Sequence, residues 1–446
     1  MDTLSGFDYI ALHYDGDGAL KSNAVNELLS HVQSHGTTDI LLLAHGFRND
    51  ERDASGLYER FLNTFRPHLA HPDLAPAMAS RTFAVGGVMW PAKAFSEGSK
   101  QDEGGVQSVG ADAELEAARE QLALLRDSDL TDEQRVSLDK AITLLDQIED
   151  DDTKQDEFVS LVLSLIDNTD DDPTEGMSEL KAQRGSELLD KLRAPIILPT
   201  ERTGKGGVSS LRVGSVSDDE GKPLFIGGFF KSAAGRVGQL LNVTTWYMMK
   251  NRSATVGSVG VAAAVRALKQ LPQNVRVHLV GHSLGGRCMA ACAKSLASDP
   301  VVQVDSVTLL QAAFSHYGLS ESNGHGDRGF FRDILTKSIV KGPLVATYSY
   351  QDTVVGRAYA ISSRLAGQNA NAIGDRDDQF GGIGRNGTQR VDEATTRALG
   401  VVGTKYAYTA KLVNNLDGSG GRITEHSDVT NAEVTWAVAC AIATTL

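Results

Sequence analysis

Apolar residues recur along this chain with two periods. Residues 7–14, FDYIALHY, alternate as a strand does, 24–35 repeat at helical intervals, and 39–44, DILLLA, form an apolar run too short for a helix. A helix over about 54–69 and a β-rich run at 82–90, TFAVGGVMW, follow. Beyond residue 230 the alternation returns. It predicts helices at 232–249 and 257–270, a strand ending at Val280, and a small-residue helix from 284 to about 297. Strands at 304–310 and 344–350, a short helix at 329–338, a last strand at 403–412 and a last helix at 431–443 complete the pattern. Short buried strands separated by helices predict the α/β class, a mostly parallel sheet flanked by helices.

Between these two regions the pattern is purely helical. The stretches 111–127, 131–149, 156–167 and 178–193 carry leucines and alanines at helical spacing, separated by the acidic runs Asp150–Asp152 and Asp170–Asp172. From 97 to 193 there are 27 acidic against 10 basic side chains, a net −17 in a chain whose total is −14. The expected organisation is a first part of the α/β domain over 1–96, an acidic helical insertion or lid over 97–200, and a second part over 201–446. The acid runs lack the regular twelve-residue ligand loop of a calcium site, so no metal is expected there. The glycines at 203–207 lack a following Gly-Lys-Ser/Thr and read as a loop, within a stretch, 201–230, that resembles a returning hairpin. No role follows from the sequence for 374–382.

The overall acidity argues against nucleic acid or an anionic membrane as main partner. Three cysteines form no disulfide framework and predict buried thiols in a reducing compartment. The first residues, MDTLSGFDYI, show no basic region followed by an apolar run, and no apolar stretch has the length of a membrane span. A soluble cytoplasmic protein is the expectation.

The chemistry centres on 275–297, VRVHLVGHSLGGRCMAACAKSLA, where a strand, the turn Gly281-His282-Ser283-Leu284-Gly285 and a helix follow without a break. Such a turn presents a serine hydroxyl at the tip of a parallel sheet, with glycines where strand and helix close on each other. Ser283 is the expected nucleophile. It requires a base, and the base an orienting acid. Asp352, two residues past the strand 344–350, is the expected acid, with a helix N-cap as its alternative role; Asp305 opens its strand and belongs to the opposite edge of the sheet. His426, in the glycine-rich loop before the last helix, is the expected base, ahead of His316 and His325. His278 reads as a core histidine, and strand alternation predicts that His282 points away from the serine. The oxyanion donors expected are the backbone N–H groups of Leu284 and of Phe47, the latter at the end of strand 39–44 with His45 as a brace. His45, Trp90, Trp246, Tyr247 and Met248 are candidates for the wall of an acyl pocket, with core packing as the equal alternative.

With HGF at 45–47, GHSLGG at 281–286, QDTVVG at 351–356 and EHSD at 425–428, the chain resembles the α/β-hydrolase superfamily over about 38–95 and 230–444. The GHSLGG wording is similar to that of lipases and esterases. The resemblance implies a Ser283–Asp352–His426 triad, an acyl-enzyme mechanism with no metal or organic cofactor, and a small-molecule or lipid-like ester as substrate. Carboxylic ester hydrolysis comes first, with thioesterase, amidase or lipase-like action as alternatives; the large acidic insertion and the lack of an interfacial helix weigh against a true lipase. A non-catalytic interaction protein, with the insertion docking a basic partner, is the reading from another class.

Overall fold

The computed structural model of the chain describes residues 1–93, 111–126, 128, 130–167, 172–193, 216–217, 223–225, 232–367 and 376–445. The glycines within 203–207, most of 201–230, residues 374–375 and acids 170–171 lie outside the described residues. The chain divides into two compact units, Met1–Ala92 with Arg252–Val355 and Gly381–Leu446, and Lys93–Asn251 with Gly356–Phe380.

The first unit is built on a nine-stranded sheet. Its strands in chain order are β1 Asp2–Leu4, β2 Phe7–His13, β3 Asp39–Ala44, β4 Phe83–Met89, β5 Arg276–His282, β6 Ser306–Leu310, β7 Leu344–Tyr348, β8 Ala394–Ala398 and β9 Val413–Asp417. They lie side by side in the order β1-β2-β4-β3-β5-β6-β7-β9-β8, and every pairing except β1 with β2 is parallel. The central strands β3, β4 and β6 are buried at every position because helices cover both faces. On one face Leu41, Leu43, Val85, Val280, Leu310 and Val345 meet Leu57, Phe61 and Phe65 of the helix Glu51–Leu69 and Trp436 of the helix Ala432–Ala443. Parallel pairing puts all these strand ends on one edge, where the connecting loops supply side chains.

Three expectations need correction here. The last strand is not 403–412, which has no strand in it, but Val413–Asp417, and Ala394–Ala398 extends the sheet beside it. Two adjacent asparagines concealed β9. Asn414 and Asn415 are buried, and their amides bond to Thr409, Leu412 and Thr388, which satisfies polar groups that would otherwise oppose burial. The helices expected at 232–249 and 257–270 are not separated by a loop: Ala233–Thr255 is followed directly by a π turn at Val256–Val261 and the helix Ala262–Lys269. The stretch 178–193 is two short helices, Met177–Lys181 and Gly185–Lys191.

The second unit holds the helices Ala111–Arg126, Asp132–Leu144 and Asp152–Leu163, and a two-strand antiparallel ribbon, Val216–Ser217 with Pro223–Phe225, which is the described part of the expected hairpin. The acidic segment does not stand apart within it. Glu175 forms a buried ion pair with Lys250, whose ammonium also lies 3.0 Å from the hydroxyl of Tyr359. The Tyr247 hydroxyl donates to the Glu175 carbonyl at 2.7 Å, and Arg236 pairs with Asp190 at 2.8 Å. Glu175 thus packs among Tyr247, Lys250 and Tyr359, while Asp190 meets Arg236 at the surface. Among the described residues no helix is long and apolar enough to cross a membrane.

Candidate active site

The turn after β5 has the form that its glycines predict. Ser283 sits at φ 58° and ψ −124°, a strained region for a non-glycine residue, between the end of β5 and the first residue of the helix Leu284–Leu296. Its N–H donates to the Leu310 carbonyl at 3.0 Å, and its own carbonyl accepts from Gly286 and Ala313, both at 3.0 Å. A Cβ on Gly281 would fall 2.2 Å from the Gly285 carbonyl oxygen, and one on Gly285 would fall 2.2 Å from that of Ala44. No side chain fits at either place.

Asp352 follows β7 and is fully buried. One carboxylate oxygen, Oδ2, lies 2.8 Å from His426 Nδ1; the other accepts the N–H of Val355 at 2.9 Å. The two oxygens thus have separate partners, His426 on one and the helix N-terminus on the other. A carboxylate at Nδ1 selects the tautomer with the proton on Nδ1 and leaves Nε2 as the basic nitrogen. Asp305 is remote from this arrangement, bonded to Lys269 at 2.5 Å and to the Val277 N–H at 2.8 Å.

His426 lies in the loop between β9 and the helix Ala432–Ala443. Its carbonyl accepts hydrogen bonds from His282 Nε2 at 3.1 Å and from Gln311 Nε2 at 3.0 Å, and its ring centroid is 4.7 Å from that of His282. His282 points to the sheet face that carries Tyr58, Phe61 and Val429, and the histidine loop closes over that same face. Alternation assigned His282 its side of the sheet but gave no sign of what else lay there. His316 is buried against Asn386, 3.2 Å from its amide nitrogen, and the backbone of His325 is tied into a turn by Asn323.

The loop after β3 presses on the serine. A Cβ on Gly46 would lie 2.7 Å from Ser283 Cβ and 3.2 Å from its Oγ, so the backbone at Gly46 approaches the serine as no bulkier residue allows. Arg48 takes φ 64° and donates its N–H to the Ala92 carbonyl at 2.9 Å, and Asp50 caps the following helix with a reciprocal bond to Asp53. His45 is tied into this loop by its own contacts. Its Nδ1 donates to the Gly46 carbonyl at 3.0 Å, its carbonyl accepts Trp90 Nε1 at 3.0 Å, and the two rings stack with centroids 5.4 Å apart. Burial pushes the His45 imidazole down to about 4, so the ring is neutral. Leu284 opens its helix, which puts its N–H among the amides with no intrahelical acceptor.

Of the pocket candidates, His45 and Trp90 are thus packed beside the serine loop. Trp246, Tyr247 and Met248 belong to the second unit, where all three are buried and the first two flank the Lys250 ammonium at 5.8 and 5.4 Å from their ring centroids. Burial pushes the Cys288 and Cys440 thiols up to about 12, and Cys292 is raised well above its ordinary value by the same cause. These buried thiols are unsuited to act as nucleophiles. Residues 376–382, without a role in the sequence, close a turn: Asp378 accepts from Ser363 at 2.6 Å and from the Phe380 N–H at 3.2 Å. The next residues brace the acid from below, Gly384 donating to the Ala312 carbonyl and accepting from Ser349 N–H, both at 2.9 Å.

The chain matches no protein-family model, no curated protein and no solved structure, so the chemistry of the site rests on its own atoms.

Proposed function

We propose that the protein is a serine hydrolase on an α/β-hydrolase-like fold, cleaving a carboxylic ester through an acyl-enzyme. The observation that carries this reading is a serine at φ 58° on a strand–helix turn, followed by a residue pair, His426 and Asp352, joined at 2.8 Å. The serine, the acid and the histidine come in that order along the chain and from the same edge of the sheet, which is the order of such hydrolases.

In this mechanism His426 Nε2 takes the proton of Ser283 Oγ as the oxygen bonds to the substrate carbonyl carbon. The carbonyl electron pair moves to oxygen, and the N–H groups of Leu284 and Phe47 stabilise that oxyanion; one such donor is worth roughly 10²–10³ in kcat. Asp352 holds the imidazole in its tautomer and stabilises the imidazolium. Collapse of the adduct expels the alcohol, which receives the proton from His426. Water then loses a proton to His426, attacks the acyl carbon, and Ser283 leaves with that proton restored. Thioesters and amides call on the same groups, and the ester is placed first because the GHSLGG turn is similar to that of lipases and esterases.

A fluorophosphonate probe tests the reading. The folded protein should label at Ser283, and heat denaturation or Ser283→Ala should abolish labelling. Absence of labelling on folded protein rejects the catalytic reading in favour of an interaction protein.

A further inference from the structure

His426 lies 74 residues after Asp352 in a loop that carries no regular secondary structure at that point. Three neighbouring strands hold it. Asp352, after β7, binds its side chain; His282, the last residue of β5, and Gln311, the first after β6, both donate to its backbone carbonyl. Gln311 is fully buried and adopts φ 39°, a left-handed conformation that a non-glycine residue keeps only where its surroundings impose it. The Thr347 hydroxyl on β7 supplies that constraint. It accepts the Gln311 N–H at 3.2 Å and donates to Gln311 Oε1 at 3.0 Å. With Oε1 so occupied, the amide nitrogen must face the His426 carbonyl.

We propose that Gln311 is a positioning residue: together with His282 it clamps the His426 carbonyl, so that the imbalance of a single side-chain tether is removed and the imidazole is fixed in two places. The inference rests on the catalytic reading of Ser283, Asp352 and His426. Its expected size follows from the sensitivity of catalysis to placement, where an error of about 1 Å costs on the order of 10²-fold.

The test uses Gln311→Met, which keeps length but removes the donor, and Thr347→Val, which keeps shape but releases the Gln311 amide. Two quantities are measured on the full chain. One is the first-order rate of Ser283 phosphonylation at saturating fluorophosphonate, and the other is the downfield proton resonance of the Nδ1–H shared by His426 and Asp352. The expected result is labelling slowed about 10- to 100-fold, with the resonance broadened by solvent exchange, in proteins that melt cooperatively. A purely structural role would not move that resonance in a folded variant. Labelling within about twofold of wild type overturns the proposal, as does slower labelling with an unchanged resonance; the twofold bound is about 0.4 kcal/mol in barrier height. Loss of fold in both variants assigns the pair to stability alone and overturns it too. If the wild type itself does not label, the catalytic reading fails, while the resonance still reports whether the clamp holds His426 to Asp352.

Discussion

Asp352 divides its carboxylate between two tasks: Oδ2 meets His426 Nδ1 at 2.8 Å, and Oδ1 caps the next helix through the Val355 N–H at 2.9 Å. Two substitutions separate these tasks. Asp352→Asn keeps an acceptor for the cap but presents the wrong partner to the imidazole, so phosphonylation should fall by roughly 10³–10⁴ with little change in melting temperature. Asp352→Ala should lose the same activity and a further ~1 kcal/mol of stability with the cap. Phosphonylation rates beside urea denaturation read both effects; equal stability of the two variants would remove the capping role.

The turn tolerates no side chain at Gly285, where a Cβ would stand 2.2 Å from the Ala44 carbonyl oxygen. Gly285→Ala must push the helix Leu284–Leu296 away from β3, costing about 1–3 kcal/mol as an overpacked contact. Because the displaced strand end also carries His45–Phe47, the surviving folded protein should label more slowly than wild type. Denaturant midpoints and labelling rates of the same preparation decide this.

Burial holds the His45 imidazole down at about 4, against about 6.5 in an unfolded chain. Between these values the unfolded state binds a proton that the folded state does not, so stability is complete above pH 6.5 and is lost as the pH falls toward 4. The full span is worth about 3 kcal/mol. His45→Gln should flatten that part of the stability curve, measured by urea midpoints from pH 7 to pH 4. An unchanged slope would show that His45 ionises freely in the folded protein.

At the far edge of the sheet Asp39, His278 and Ser306 form a second serine–histidine–aspartate chain. His278 lies 3.0 Å from Asp39 and 2.8 Å from the Ser306 hydroxyl, and all three are buried. Burial opposes ionisation of Asp39, but the bonds from His278 and Thr38 and the charge of Arg81 hold its carboxyl below the usual range. Arg81 in turn bonds the Ile442 carbonyl and the Thr445 hydroxyl, both at 3.0 Å, which anchors the last helix. Asp39→Asn should therefore destabilise by roughly 3–5 kcal/mol, the cost of stranding a buried partner charge. Labelling per folded molecule should not change; a selective loss of labelling would instead tie this network to the catalytic edge.

The acidic segment yields a parallel case in the second unit. Glu175→Gln should strand the Lys250 ammonium, whose side chain is only 2% exposed, among Tyr247, Tyr359 and Trp246 and destabilise that unit by roughly 3–5 kcal/mol. Limited proteolysis should then cut within 93–251 sooner than in wild type. Equal resistance would show that the pair adds nothing to that unit.

The sequence by itself determined the α/β class, the serine turn and the candidates for acid and base, because each leaves a local mark: an apolar run of strand length, glycines at a turn that excludes side chains, an acid just past a strand. Strand β9 left no such mark, since its buried Asn414 and Asn415 are satisfied by loop groups that only the folded chain brings to them. His282 and Gln311 were hidden for the same reason. Alternation sets the face on which a side chain emerges, and periodicity sets the element that carries it, but neither says which loop will arrive opposite. That His426, 115 residues after Gln311, offers its carbonyl to both side chains is a decision of the tertiary structure. The acidic segment shows the same division. Its charge is written in composition, whereas its burial of Glu175 against Lys250 depends on helices joined only when the chain folds.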